Sequence, residues 1–338
     1  MPSTRPGRSS AAALWRRLRK RPDPGTVACL ADVLACYRLL LGRQPDPEGL
    51  AYHTARLRSG VPLADLVDEF LSSVEFTRLH PELRHQGRTP TTVASTDFGF
   101  RIHVDPTDYA VGHTIARTGA YEPEVSAALS EILEPGDTFL DIGANIGWFS
   151  LLAATFVGSA GRVVAVEPNP ANVALLHSSI KDNGFSNVEV MAVALGERPG
   201  TVALETDGSN GRVIPLENPP VAAVTVSYVV ASRPLDALLE ESGIDRVDVV
   251  KMDVEGTEPL VLRGGAGTFA RCRPVLLSEF FPQALDGSPG GATGYLEALR
   301  GLGYTLSVIG NRSHDDLRDE EIMTLARSGQ VNLLARPA

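Results

Sequence analysis

The sequence predicts an α/β protein with a mainly parallel, doubly wound sheet, preceded by a small all-helical domain. Three observations carry this. Short apolar, β-branched runs at Thr138–Ile142, Arg162–Glu167, Val188–Val193, Val247–Asp253 and Val275–Glu279 have the composition of strands buried on both faces. Helical stretches at Gly147–Val157, Pro170–Asn183, Pro234–Ser242 and Thr257–Leu262 separate most of those runs, the alternation that crossover connections in a parallel sheet require. Near the start, Val27, Leu30, Val33, Leu34, Tyr37, Leu40 and Leu41 recur at spacings of three and four, which describes an amphipathic helix.

Taken in order, residues 1–25 form a basic tail ending in Pro22-Asp23-Pro24-Gly25, with the composition of a disordered, solvated leader. A helical module over 26–80 follows. Its first helix stops at Gly42-Arg43-Gln44-Pro45-Asp46-Pro47. A second begins near Pro47, and a third runs from about Pro62 to Leu79 with Asp65 and Asp68 where the helix dipole favours acids. The polar, Pro/Thr-rich stretch 81–96 reads as a linker, and 97–338 as the α/β domain. The insertion from Gly200 to Ser232 interrupts the alternation. Its segments Val213–Leu216 and Ala223–Val230 suit an extra hairpin near the site.

At 338 residues, one large domain plus a small one is the natural division. A net charge of −10 disfavours a broad nucleic-acid surface, which needs clustered Lys and Arg. Lysine occurs only at 20, 181 and 251. With the abundant Ala, Gly and Pro, this usage looks like GC-rich coding bias and suggests a bacterial source. Cys29, Cys36 and Cys272 show neither metal-ligand spacing nor a disulfide framework. No apolar stretch approaches the roughly 20 residues of a transmembrane helix, and none follows the basic tail as a signal peptide would require. A cytoplasmic protein is the expectation.

In an open α/β sheet, ligands bind at the carboxyl ends of the strands, so the residues after each apolar run matter most. Asp141 ends the first run and opens the turn Asp141-Ile142-Gly143-Ala144-Asn145-Ile146-Gly147. Glycines there let a ligand approach the backbone, and an acid suits an ammonium or a cationic sulfur better than a pyrophosphate. Glu167 ends the second run, placed to accept ribose hydroxyls. The turn lacks G-x-G-x-x-G, which favours an S-adenosyl ligand over a dinucleotide.

Residues 119–280 resemble the FkbM-type methyltransferases. The matching stretches are Tyr121-Glu122-Pro123, Pro135-Gly136-Asp137, Leu140 through Gly147, Val166-Glu167-Pro168-Asn169-Pro170, Ala194-Leu195-Gly196, Leu235-Asp236, Lys251 through Glu258, and Ser278-Glu279. The resemblance implies a Rossmann-like class I methyltransferase with a seven-stranded sheet and an antiparallel final strand, its last pair supplied by Thr305–Ile309 and Val331–Ala335. It also implies S-adenosyl-L-methionine as cofactor. Asp141, Gly143, Asn145 and Gly147 would border its methionine end, Glu167 would hold its ribose and Ala194 would lie near its adenine, with Glu122 closing over the amino-acid part and Ala144 and Pro168 also binding the cofactor. Residues 30–80 resemble a short helical domain of unknown function found in bacterial surface and glycan-associated proteins, on Tyr37 through Leu50 and on Phe70 through Phe76. That likeness implies an interaction module able to take a protein partner.

Methyl transfer from a sulfonium needs alignment and deprotonation of the acceptor. Asp253 is the expected base or acceptor-positioning group, with Glu255 and Glu279 beside it; an acid at Glu258 equally suits the start of a helix. Four carboxylates at neighbouring strand ends also suit Mg²⁺, although no ligands are assigned to it. The function expected is O-methylation of a hydroxyl on a sugar, glycolipid or secondary metabolite, a small-molecule or glycan acceptor. Two rivals remain at this point: an NAD-dependent oxidoreductase, and a non-catalytic scaffold with a relic cofactor fold.

Overall fold

The computed structural model describes residues 27–58, 60–73, 75–76, 91–215, 227–288, 290–311 and 316–338. The expected leader over 1–25 lies outside them, as do 81–90. Contacts divide the chain into two units, Met1–Thr89 and Pro90–Ala338.

The first unit holds helices α1 (Leu30–Leu40), α2 (Pro47–Leu57) and α3 (Leu63–Ser72). Asp46 caps α2, its carboxylate accepting from the Gly49 N–H at 2.8 Å, and Pro47 occupies the first helical position, where its missing N–H costs nothing. Val33, Leu40, Leu66 and Phe70 form its apolar centre. The motif residues mostly serve this packing. The Arg43 guanidinium grips Glu75 through two bonds of 2.5 and 2.7 Å, reaches Asp46 at 3.0 Å, and lies 4.9 Å from the centre of the Tyr37 ring. Tyr37 in turn meets Phe70 edge-on at 4.9 Å. Such fork-to-carboxylate geometry ties the two halves of the motif together.

The second unit opens with strands β1 (Thr92–Ser95) and β2 (Arg101–Val104), then helices α4 (Gly112–Thr118) and α5 (Pro123–Ile132). The stretch read as linker therefore contains a strand, because β1 and β2 pair antiparallel from Thr92↔Val104 to Ser95↔Arg101. The alternating part follows as β3 (Thr138–Ile142), α6 (Trp148–Val157), β4 (Arg162–Val166), α7 (Pro170–Asn183) and β5 (Val188–Met191). After it come β6 (Ala194–Leu195), β7 (Gly200–Asp207), β8 (Asn210–Pro215), β9 (Tyr228–Arg233), α8 (Leu235–Glu241) and β10 (Val249–Met252). The chain ends with α9 (Glu258–Gly264), α10 (Ala266–Cys272), β11 (Val275–Phe280), α11 (Pro282–Leu285), α12 (Gly291–Gly301), β12 (Tyr304–Val308), α13 (Asp319–Leu325) and β13 (Val331–Pro337).

The main sheet has seven strands in the order β12-β13-β11-β10-β3-β4-β5. Strands β11, β10, β3, β4 and β5 run parallel, and β13 alone is reversed between β11 and β12. This is the seven-stranded sheet with a reversed final strand that the resemblance implied. Side chains alternate across it: Leu140, Ile142, Val164, Val166, Val250 and Met252 face one core, while Phe139, Val163, Ala165 and Val249 face the other. Each of these side chains larger than alanine contributes about 1.5–3 kcal/mol of burial.

Chain order reverses beside β3, which lies between β4 and β10. At such a switch point the loops leaving neighbouring strands part and open a crevice. The insertion is more elaborate than a hairpin of Val213–Leu216 with Ala223–Val230. Strand β8 pairs with β7, with Val213 opposite Leu204, and β9 adds to the other edge of β7 and joins β6. Residues 216–226, which include Leu216 and Ala223, lie outside the described residues.

Candidate functional site

The loops leaving β3, β4, β10 and β11, together with the β7–β8 hairpin, surround a cavity. Its wall includes Glu122, Gly143, Ala144, Asn145, Glu167, Pro168, Asp253, Glu255 and Glu279, the greater part of the expected set.

The turn after β3 is shaped by two backbone positions. At Gly143, φ is +80°, and a Cβ would lie 1.9 Å from the carbonyl oxygen of Asp253, so the β3 and β10 loops touch through bare backbone. Asn145 is left-handed at φ +51°, and its N–H donates to Glu167 Oε2 at 2.8 Å. The Asn169 N–H donates to the other oxygen of Glu167 at 2.8 Å. Burial pushes the Glu167 carboxyl up to about 7, against the pull of those N–H groups. The result is a carboxylate fixed in place, with acceptor capacity facing the cavity.

Opposite it, Glu122 adopts φ +38° at the start of α5, a strained geometry for a residue with a side chain. The surroundings impose it: Ser126 donates to the Tyr121 carbonyl at 2.8 Å and accepts from the Trp148 indole at 2.9 Å. Among the described residues Glu122 Oε2 is buried without a hydrogen-bond partner, and burial raises this carboxyl above its ordinary range, against the pull of Lys251 and of the Tyr121 hydroxyl. An acceptor left bare in this way suits the ammonium of an amino-acid ligand.

Asp253 follows β10. Its carboxylate receives Lys251 Nζ at 2.9 Å, and that ammonium lies 4.8 Å from the centre of the Phe149 ring. Lys251 is 2% exposed. Burial alone would lower its affinity for the proton, but Asp253, Glu122 and Asp141 outweigh that and hold it charged. Glu255, left-handed at φ +54°, and Glu279 both have carboxyls raised by burial and then by the charge of Asp253. Glu258 lies off the wall. It accepts from the Val254 and Gly256 N–H groups at 3.2 and 3.3 Å and so knits the loop that carries Asp253.

Three expected cofactor contacts, Asp141, Gly147 and Ala194, do not line the cavity. Asp141 points to the α6 side of the sheet, where it accepts the Ser150 hydroxyl at 2.5 Å and lies in register with Lys251. Its carboxyl is pushed up to about 6 by burial, with Ser150 and Lys251 pulling it back. Gly147 starts α6 in space bounded by Leu176, and Ala194 is packed away in β6 against β9. Conversely, the sequence pattern assigned no role to Lys251, Ser209 or Asn172. For Lys251 a signal existed, a lone lysine inside an apolar strand. The contact that joins the other two reaches into the insertion and has no local trace.

The residues present suit S-adenosylmethionine: Glu167 for hydroxyls, the bare Glu122 oxygen for an ammonium, and the Gly143 cradle for close approach. The donor geometry gives Mg²⁺ no support, since among the described residues no group of three or more His, Cys, Asp or Glu is arranged to hold a metal. Among the same residues, no helix is long and apolar enough to cross a membrane.

Residues 32–80 match a domain of unknown function, DUF4214, and residues 141–309 match the methyltransferase FkbM domain. Methyltransferase 1 of Beauveria bassiana is 29% identical over 188 residues, which cover 45% of this chain and 75% of that protein. The hexuronic acid methyltransferase AglP of Haloferax volcanii is 29% identical over 145 residues, covering 42% of this chain and 56% of that protein. The crystal structure of methyltransferase FkbM from Methylobacillus flagellatus aligns with a TM-score of 0.39 at 17% identity, over 90% of this chain and 60% of that one. The domain match spans half of the chain and sets aside the nicotinamide and relic-scaffold readings. The chain belongs to the FkbM family of S-adenosylmethionine-dependent methyltransferases.

Proposed function

We propose that the chain methylates a hydroxyl of a sugar, glycolipid or secondary metabolite, with Asp253 as the general base. The observation that carries this is the placement of Asp253: a carboxylate at the end of β10, on the same cavity as Glu167, held by a buried ammonium at 2.9 Å. When bound, S-adenosylmethionine supplies a methyl group on a good leaving group, so alignment provides much of the rate.

The chain's own residues do the rest. Glu167 holds the donor's ribose, and Glu122 meets the ammonium. Asp253 takes the acceptor's proton as its oxygen attacks, and Lys251 keeps the carboxylate oriented. Glu255 and Glu279, whose neutral forms burial favours, hydrogen-bond the acceptor's remaining hydroxyls. A sugar acceptor agrees with the name of the archaeal relative and with the poor fit of net charge −10 to nucleic acid. Residues 27–80 are proposed as a separate module that takes a protein partner.

Labelled S-adenosylmethionine, incubated with the chain and a panel of sugars, extracted glycolipids and metabolites, tests the reading. Label should enter hydroxyl-bearing acceptors. Label confined to proteins or nucleic acid would sink it.

A further inference from the structure

The tip of the β7–β8 hairpin is built into the cavity, and one polar atom there has no hydrogen-bond partner among the described residues. Asp207 pairs with Asn210, leaving Gly208 and Ser209 as a two-residue loop. Gly208 has φ +63°, the positive value that a Gly-X hairpin loop needs at its first position. A Cβ there would lie 2.3 Å from Asp108 Oδ1, so the tip sits tightly against that side chain. Asp108 is itself fixed, accepting from the Ala110 and Gly112 N–H groups.

From the other side, two amides hold the tip. Asn172 Nδ2 donates to the Ser209 carbonyl at 2.7 Å, and Asn145 Nδ2 donates to the same oxygen at 3.3 Å. Both asparagines also serve Glu167, Asn145 through its N–H at 2.8 Å and Asn172 through Nδ2 at 3.4 Å. The Glu167 carboxylate and the Ser209 loop are thus fixed to each other through shared side chains. Ser209 is 6% exposed, lines the cavity, and its Oγ is buried without a hydrogen-bond partner. Native chains satisfy nearly all buried hydroxyls, so an orphan on a residue that lines a cavity points to a ligand.

We propose that Ser209 binds the ribose of the methyl donor, its hydroxyl engaging one of the two vicinal ribose hydroxyls while Glu167 takes the other. The inference rests on the cavity being the methyl-donor site. It makes the insertion part of that site, since Ser209 is the turn residue of an element outside the main sheet. Asn145 and Asn172 then act jointly, holding the two ribose-binding groups at a fixed separation.

S-adenosylhomocysteine and its 2′-deoxy and 3′-deoxy analogues, titrated calorimetrically into the full chain and its Ser209→Ala variant, test this. One hydrogen bond is worth roughly 3- to 10-fold in affinity, and Ser209→Ala should weaken S-adenosylhomocysteine by that factor. One deoxy analogue should bind wild type and variant equally, while the other keeps the difference. Asn172→Ala, which loosens the loop without removing the hydroxyl, should weaken all three ligands. Equal affinity of wild type and Ser209→Ala for S-adenosylhomocysteine overturns the inference, as does a loss that both deoxy analogues share. Ser209→Cys, nearly isosteric, replaces the alanine variant if that one does not fold. Failure of wild type to bind S-adenosylhomocysteine overturns instead the methyl-donor reading.

Discussion

Lys251 Nζ lies 2.9 Å from Asp253 Oδ2, although the lysine is 2% exposed and sits in the middle of the sheet. In register beside it on β3 is Asp141, also buried. The strand ends that form the cavity thus hold a buried cation compensated by several acids. Breaking a fully buried pair from one side costs about 3–5 kcal/mol, and less where solvent reaches one partner. Asp253 is 23% exposed, so Lys251→Met should lower stability in urea denaturation by less than that amount. Lys251→Met combined with Asp253→Asn should lose less than the two single changes added, which a double-mutant cycle measures.

Asp253→Asn keeps the shape of the side chain and removes the base. General-base catalysis contributes about 10²- to 10⁴-fold, so kcat should fall within that range while affinity for S-adenosylhomocysteine changes less than about threefold. Unchanged turnover would remove Asp253 from the mechanism. Glu255→Gln should act mainly on KM for the acceptor, because burial already favours the neutral form of its carboxyl.

The Glu167 carboxyl, at about 7 against an ordinary 4.5, binds its proton more tightly in the folded chain than in the unfolded one. The same holds for Asp141, at about 6 against 3.8. The folded state therefore carries more protons across those windows, and stability falls as pH rises through them, by at most about 1.4 kcal/mol per pH unit for each group. Denaturation midpoints measured from about pH 4 to 7 should show this decline, and Glu167→Gln should flatten its upper part.

Gly143→Ala would set a methyl 1.9 Å from the Asp253 carbonyl at a φ of +80°. We expect a loss of at least ~2 kcal/mol in stability, and weaker cofactor binding as the β3 and β10 loops separate. Thermal melts with and without S-adenosylhomocysteine would show both effects.

Much of this was legible in the sequence. Thr138–Ile142 and Pro170–Asn183 have the same limits in pattern and structure, because an apolar run bounded by turn residues, and a helix framed by Asn169-Pro170 and Gly184, leave little freedom. The reversed β13 came only from resemblance, since strand direction has no local signature. Side-chain direction at Asp141 was hidden for another reason. Strands buried on both faces lose the polar alternation that would show which face a residue takes, so an acid at a strand end looked like a cavity residue. Ser209 stayed invisible because its partners, Asn145 and Asn172, are 64 and 37 residues away.

The central claim, methyl transfer to oxygen, is tested most directly by NMR of the product formed from ¹³C-methyl S-adenosylmethionine and an acceptor that the chain labels. A methyl carbon bonded to oxygen, absent when Asp253→Asn replaces wild type, is the result expected. A methyl on nitrogen or carbon, or a methoxy product formed equally well by the variant, would contradict the account.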